Sequence, residues 1–270
     1  MRLTLFQADA EPGTPHRNLD RLERAAAEAA GRGSALLIGP EMGLTGYDIG
    51  AEAVRALAEP ADGPMAARVA EMARRHGVAL LYGYPERGAD GAVYNAAQLI
   101  GADGRPRLNQ RKTHLYGDLD RGSFAPGGDA FPTVEIGGMR VGVAICYDVE
   151  FPELVRRHAL AGVDVLLVPT ALMAPYEVVA TTIVPARAFE NGIFVAYANR
   201  CGREGTLDYC GLSSVAAPDG SVLARAGDGD GEALLTVDLD PVLRRVGTHL
   251  ADRRPDLYGA VSSAPGKGGS

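Results

Sequence analysis

The chain has 270 residues, 46% hydrophobic and 23% charged, with a formal net charge of -7; this is a globular balance, and at this length roughly 75% of the unfolded surface is buried without staples. The acidic charge is spread along the chain and opposes phosphate backbones, which excludes nucleic acid as the expected partner. Three cysteines without a Cys-x-x-Cys pair make neither a disulfide framework nor a zinc knuckle, and no apolar run reaches the ~18 residues of a membrane helix.

Strands and helices alternate along the chain. Leu3 to Gln7 reads as a core strand, and the opening run is too short for a signal peptide, so the expected setting is a reducing cytoplasm. Thr14-Pro15 offers a helix start, Leu19, Leu22, Ala26 and Ala29 keep helical spacing, and Gly31 is a natural stop. Ala35 to Ile38 is a short buried strand, Met65 to His76 a helix closed by Gly77, and Val78 to Tyr82 and Val93 to Ile100 further strands with a turn at Asp103-Gly104. Thr133 to Ile136 and Arg140 to Ile145 form a hairpin about Gly137-Gly138. Pro152 opens a helix to about Ala161, and Asp164 to Val168 is a buried strand. Glu177 to Asn191 is helical, with Pro185 kinking or splitting it. Ile193 to Ala198 is a strand, Ser213 to Ala217 and Val222 to Ala224 a hairpin, and Leu234 to Val237 ends the sheet region. Strands apolar throughout need cover on both faces, which two stacked sheets with outer helices supply. The domain is expected to run over 1–263, with 264–270 a Gly/Ser-rich disordered tail.

Cys146 stands between the strand ending at Ile145 and the helix beginning near Pro152. A nucleophile on such a corner faces open space, has backbone N–H groups at hand for an oxyanion, and gains thiolate character from a helix N-terminus. The competing role is that of a small buried apolar residue. Cys201 and Cys210, in a Gly-rich loop region, lack that corner. A thiol needs a base. His16 and His76 fall on or beside surface helices, His158 lies on the helix after Cys146, His249 follows the last strand, and only His114 sits in a motif-like run. Glu41, just past the strand Ala35 to Ile38, points toward the crevice at the strand ends; in a dry pocket it can take the thiol proton and later activate water. Lys112, in Asn109 to Leu115, can hold an oxyanion if buried. Each has a plain alternative as a solvated loop residue.

Taken together, these residues resemble the nitrilase, or carbon-nitrogen hydrolase, superfamily, from Leu3 to about Tyr258. Pro40-Glu41-Met42 with Thr45-Gly46-Tyr47 resembles its glutamate block, Tyr94-Asn95-Ala96 with Arg111-Lys112-Thr113-His114-Leu115 its lysine block, and Cys146 to Glu153 its nucleophile block. Pro169-Thr170-Ala171, Ala186-Arg187-Ala188, Glu190-Asn191 and Asn199 are similar too. The resemblance implies an α/β fold, a four-layer αββα sandwich. It implies Glu41 as general base, Lys112 as transition-state stabiliser, Cys146 as nucleophile and the Tyr147 N–H as a second oxyanion donor. No metal or organic cofactor is implied, and a homodimer or higher homo-oligomer is. The family's second glutamate corresponds, counting back from Phe124-Ala125-Pro126-Gly127, to Asp120, one methylene shorter, with Asp118 the other candidate.

Leu44 to Tyr47, Tyr82 to Gly88 and Asp208 to Ser214 resemble the aliphatic amidase branch, nearest the 5-aminopentanamidases, and imply a small carboxamide substrate. A substrate with a terminal ammonium calls for a carboxylate or aromatic cage, for which Tyr47, Glu150, Tyr176 and Glu177 are candidates and ordinary loop packing the alternative. Asp148 and Glu153 are expected to brace the corner and cap the helix. Carbamoyl hydrolases and nitrilases share the triad. A metal-dependent phosphodiesterase sandwich, with Asn199, Asp208 and His249 cast as ligands, and a non-catalytic scaffold are the more distant readings.

Overall fold

The computed structural model describes residues 1–9, 11–227, 231–243 and 247–259; the expected domain end at 263 and the tail 264–270 lie outside them. One six-stranded sheet is built from β1 (Arg2–Gln7), β2 (Leu36–Ile38), β3 (Ala79–Arg87), β4 (Val93–Ile100), β5 (Pro106–Arg111) and β14 (Ala233–Asp238), in the order β14-β1-β2-β3-β4-β5. A second contains β6 (Val134–Ile136), β7 (Met139–Val143), β8 (Val165–Pro169), β9 (Phe194–Ala198), β12 (Ser214–Ala216) and β13 (Val222–Arg225), in the order β13-β12-β9-β8-β7-β6. In each sheet the inner strands β1-β2-β3 and β7-β8-β9 are parallel and the outer ones antiparallel. Of the parallel strands, β2, β8 and β9 are apolar at every position, because they are covered on both faces.

The two-residue alternation of side chains divides each strand between two cores. Leu3, Leu5, Leu36, Ile38 and Leu81 of the first sheet meet Val141, Val143, Val165, Leu167 and Phe194 of the second in the central layer. Phe6, Leu37, Leu80 and Tyr82 face outward onto α1 (Pro15–Gly31) and α3 (Pro64–His76). Leu166, Val168, Val195 and Tyr197 face α5 (Pro152–Leu160) and α6 (Val184–Asn191). The layers therefore run helix, sheet, sheet, helix, which is the nitrilase-type sandwich. Pro185 falls where a π-helical turn, Val179–Ile183, hands over to α6, so the helix is split there, as expected of a residue that removes an i→i−4 bond.

The structure adds β5, two short helices and a hairpin to the elements read from the sequence, whereas the last strand lies where the sequence has it. The short helices α2 (Ala51–Leu57) and α4 (Gly117–Ser123) lie in segments with no helical apolar period. Cys201 and Cys210 lie on a hairpin, β10 (Cys201–Glu204) with β11 (Leu207–Cys210), facing each other across the register rather than in a loop. β14 returns to pair with β1, closing the edge of the first sheet. Among the described residues no helix is long and apolar enough to cross a membrane.

Candidate active site

The chemistry-bearing residues stand just past the ends of strands. β2 ends at Ile38 and the chain turns through Gly39-Pro40-Glu41, where the Glu41 N–H donates to the Thr170 carbonyl past β8 at 3.3 Å, tying the two sheets together. The turn continues through Met42 in the left-handed region, φ 50°. β3 runs directly beneath it: a Cβ on Gly83 would stand 2.5 Å from the Met42 nitrogen and 2.9 Å from Glu41 Cα. Only a residue without a side chain admits so close a backbone approach.

Lys112 follows β5, its N–H donating to the Asn95 carbonyl at 2.8 Å. Its ammonium is fully buried and donates to Glu41 Oε1 and to Asp120 Oδ2, each at 2.7 Å. The Asn95 side chain donates to the same Glu41 oxygen at 2.7 Å. Glu41 Oε2 is buried without a hydrogen-bond partner, and the Cys146 thiol is among the groups acting on this carboxyl. Asp120 also accepts from the Tyr47 hydroxyl at 2.8 Å and the Tyr116 N–H at 2.8 Å. Of the two aspartates open at the sequence level, Asp120 is therefore the one beside the lysine; Asp118 is exposed.

Cys146 has φ 49° and opens a single 3₁₀ turn, Cys146–Glu150, five residues after β7 reaches Val141. The expected α-helix N-terminus is not at the cysteine, because α5 starts only at Pro152. The expected gain in thiolate character is not seen either. Burial pushes the thiol pKa up and the Glu41 charge adds to this, against Lys112 and the contacts with Thr170 and Ala171. Burial also raises Glu41; Lys112 opposes this and Asp120 reinforces it. Burial works against the Lys112 ammonium, yet Glu41, Tyr47, Cys146 and Asp120 hold its pKa well above that of an ordinary lysine. The resting arrangement is thus a neutral thiol beside a buried ammonium shared by two carboxyl groups, able to pass a proton from sulfur to Glu41 as sulfur attacks a carbonyl.

Asp148 is the brace. Its carboxylate accepts from Ile145 N at 3.1 Å on the cysteine side, and from Thr113 Oγ1 at 2.6 Å and His114 N at 2.9 Å on the lysine side. One buried side chain thereby ties the nucleophile's turn to the lysine's loop. His114 belongs to this brace: its Nδ1 lies 2.8 Å from Asp148 and its ring stacks on Phe151 at 3.8 Å. His158 packs against β7 beneath Gly142, with neither ring nitrogen hydrogen-bonded, and burial lowers its pKa to about 4.

Above Cys146 opens a cavity of about 230 Å³, lined by Tyr47, Tyr116, Tyr147, Glu150, Met173 and Tyr176. At roughly 30 Å³ per water-sized group, it suits a small molecule rather than a polymer. Tyr47, Glu150 and Tyr176, singled out from sequence, all reach it; Glu177 does not line it. The Tyr116 hydroxyl is pushed up to about 12, first by its hydrogen bond with Tyr176 and then by burial.

The sequence reading missed a second set of positioning residues on β10 and β11. Glu204 accepts from the Tyr47 N–H at 3.0 and 3.1 Å and from the Tyr209 hydroxyl at 2.7 Å, and pairs with buried Arg200 at 3.0 Å. Arg200 in turn donates to the Met42 carbonyl at 3.4 Å. The cluster holds both ends of the glutamate turn. No sequence signal marked it, because the burial of Arg200 and Glu204 comes only with the fold. Asn95 had a signal, its place in the Tyr94-Asn95-Ala96 run of an otherwise mostly apolar strand.

The residues cast as metal ligands do not converge. The Asn199 amide accepts from Leu172 N at 2.8 Å and donates to its carbonyl at 3.2 Å, Asp208 is exposed, and His249 packs edge-on against Phe189. Among the described residues no three His, Cys, Asp or Glu side chains form a group that could hold a metal ion.

A model of the carbon-nitrogen hydrolase family matches residues 2–246. A hydrolase of the pqqF 5′ region of Pseudomonas protegens is 53% identical over 266 residues, 97% of this chain and 92% of that one. An (R)-stereoselective amidase of a Pseudomonas species is 37% identical over 268 residues, 98% of this chain and 96% of its own. Among solved structures, the amidase of Nesterenkonia sp. AN1 is 37% identical with a TM-score of 0.83, covering 96% of this chain and 98% of that one. A variant of that amidase carries acrylamide added at its active-site cysteine.

Proposed function

The chain belongs to the carbon-nitrogen hydrolase family and is a cysteine-dependent amidase with a Glu-Lys-Cys triad; from that premise we propose that it cleaves a small aliphatic carboxamide, such as 5-aminopentanamide, to the carboxylate and ammonia. One observation carries this reading. The half-buried Cys146 forms the floor of a small cavity while the buried Glu41, Lys112 and Asp120 gather behind it.

In the proposed cycle, Cys146 sulfur bonds to the amide carbon as its proton passes to Glu41. The carbonyl oxygen takes up negative charge between the Lys112 ammonium and the Tyr147 N–H, the backbone donor that follows Cys146. Ammonia departs with the proton from Glu41, leaving a thioester. Glu41 then takes a proton from water as its oxygen attacks, and returns it to sulfur as the acid leaves. Losing one oxyanion donor from such a site costs about 10²–10³ in rate. Asp120 keeps Lys112 charged and placed, in the position where the family has a glutamate.

Two further parts of the reading rest on the surface and the thiols. Leu160, Val178 and Phe189 stay about half exposed on and beside α5 and α6, an apolar face suited to a homodimer or higher homo-oligomer, which light scattering tests. Among the described residues no disulfide joins any of the three cysteines, which suits a cytoplasmic setting.

The deciding experiment measures ammonia release from 5-aminopentanamide, plain aliphatic amides, glutamine, N-carbamoyl amino acids and nitriles, with Cys146→Ala as the blank. Amide turnover lost in the blank is expected. Equimolar carbon dioxide would instead assign a carbamoyl substrate, and amide turnover that survives in Cys146→Ala would overturn the cysteine mechanism.

A further inference from the structure

Glu150 closes the same 3₁₀ turn that Cys146 opens, and both side chains line the one cavity. The turn fixes their separation. At about 2.0 Å of rise per residue, their Cα atoms stand roughly 8 Å apart along the turn, the span of a short aliphatic chain rather than of a single bond.

The Glu150 carboxylate makes no hydrogen bond or ion pair with any described residue, and its residue is only partly exposed. The Arg187 guanidinium, whose charge acts on this carboxyl, has its hydrogen bonds elsewhere. It donates to the Val149 carbonyl at 3.0 Å and the Glu150 carbonyl at 2.7 Å, and pairs with Glu190 at 3.1 Å. It therefore anchors the backbone of the turn and leaves the Glu150 side chain free. Burial shifts this carboxyl upward, with Arg187 and Lys112 pulling the other way. A carboxyl group held partly out of water and without a protein partner gains most from a ligand of opposite charge.

Aromatic rings complete the wall. Tyr116 sits edge-on to Tyr147 at 5.4 Å and to Tyr176 at 6.1 Å, and all three rings line the same cavity as Glu150. Tyrosine faces attract cations by their quadrupole, and a carboxylate with tyrosines forms a cage for an alkylammonium group. A neutral or anionic chain end would leave Glu150 unpaired or face repulsion.

We propose that Glu150, aided by Tyr116 and Tyr176, selects amides that carry a protonated amine at the end remote from the scissile carbonyl. The inference rests on the amidase reading above and gives that site its substrate class. Glu150 binds the ammonium, and the intervening methylenes lie along the Tyr147 and Met173 side of the cavity.

The test compares 5-aminopentanamide with hexanamide, in which a methyl replaces the ammonium, on the purified chain and on Glu150→Gln and Glu150→Asp. The quantity read is the ratio of kcat/KM for the two amides. Wild type is expected to favour the cationic amide by at least about 30-fold, in line with the ~2 kcal/mol of a desolvated charge pair or cation–π contact. Glu150→Gln is expected to bring the ratio down at least about tenfold, chiefly through KM, and Glu150→Asp to restore part of it. Hexanamide turnover by the Gln variant reports that it is folded; if it has none, a cooperative thermal melt like that of wild type together with the ratio in Glu150→Asp decides. A wild-type ratio near one, or a ratio unmoved by Glu150→Gln and Glu150→Asp, overturns the inference while leaving the amidase reading intact. Failure of wild type to release ammonia from either amide, in a protein that melts cooperatively, counts instead against the parent reading and takes this one with it.

Discussion

Gly83→Ala isolates what β3 does for the glutamate turn. The added methyl would stand 2.5 Å from the Met42 nitrogen, 2.7 Å from the Pro40 carbonyl oxygen and 2.9 Å from Glu41 Cα, all backbone atoms that cannot rotate away. Restoring ordinary contact requires the turn to lift by about 0.9 Å, since van der Waals contact begins near 3.4 Å. A misplacement of about 1 Å at a reacting group costs on the order of 10²-fold in rate. The overpacking itself costs roughly 1–3 kcal/mol, which for a chain of this size lowers Tm by about 2–12 °C. The assay is kcat for ammonia release, run beside a thermal melt. Gly31→Ala serves as the control, because its Cβ would meet nothing within 4 Å at the end of α1. The expected result is a kcat near one-hundredth of wild type for Gly83→Ala, with the control unchanged. A Gly83→Ala protein with wild-type kcat would show that Glu41 does not depend on this backbone contact, and the positional account of the base would fall.

The pH dependence of kcat/KM follows from Glu41, which must be ionised to take the thiol proton. Because burial and the Asp120 charge raise its pKa, the acid limb should lie above the usual carboxylate range, and Asp120→Asn should move that limb to lower pH; an unmoved limb would refute the coupling. A second pH effect concerns stability. His158 is buried neutral with its pKa lowered from 6.5 to about 4, so the unfolded chain binds the proton first and stability falls as pH drops from about 6.5 toward 4, by about 3 kcal/mol in all from this group. His158→Leu should flatten that slope in urea titrations between pH 7 and 4.5, and an equal slope in both proteins would refute the assignment.

Lys112 follows the polar β5 and was legible in the sequence only through the motif-like run around it. Glu41 and Cys146 were legible because each stands just past an apolar run, and a strand's end is a position that local pattern fixes. The two sheets were legible for the same reason: β2, β8 and β9 are apolar at successive positions, which only double cover explains. Asp120 was found through motif spacing, but the choice against Asp118 needed the fold, because α4 is a seven-residue helix with two glycines and no apolar period. The Arg200, Glu204 and Tyr209 cluster was hidden for a different reason. Glu204 meets Tyr47 across 157 positions, and its hairpin is a two-stranded sheet separate from the two large ones, so no periodic burial marks it. The state of the thiol was misread because a strand-to-helix corner suggests a helix terminus, whereas the chain spends Cys146–Glu150 on a 3₁₀ turn first.

That turn and the charges behind it explain one another. Two carboxyl groups, Glu41 and Asp120, share one ammonium, so with both ionised the buried group carries one negative charge in excess. The Glu41 charge, after burial, is what raises the Cys146 pKa, and a helix dipole placed at the sulfur would have worked against it. A neutral resting thiol is poorly reactive toward oxidants and stray electrophiles, since the thiolate is the nucleophile. In the cycle we propose, sulfur becomes nucleophilic only as its proton moves to Glu41, and that transfer is favourable only when charge develops on an oxygen that Lys112 can hold. Asp120 serves this arrangement despite its shorter side chain because Tyr47 and the Tyr116 N–H satisfy its remaining acceptor sites, fixing the carboxylate at 2.7 Å from the lysine. The glutamate turn, the 3₁₀ turn and the shortened acid are therefore one electrostatic device, in which the substrate's own developing charge releases the nucleophile.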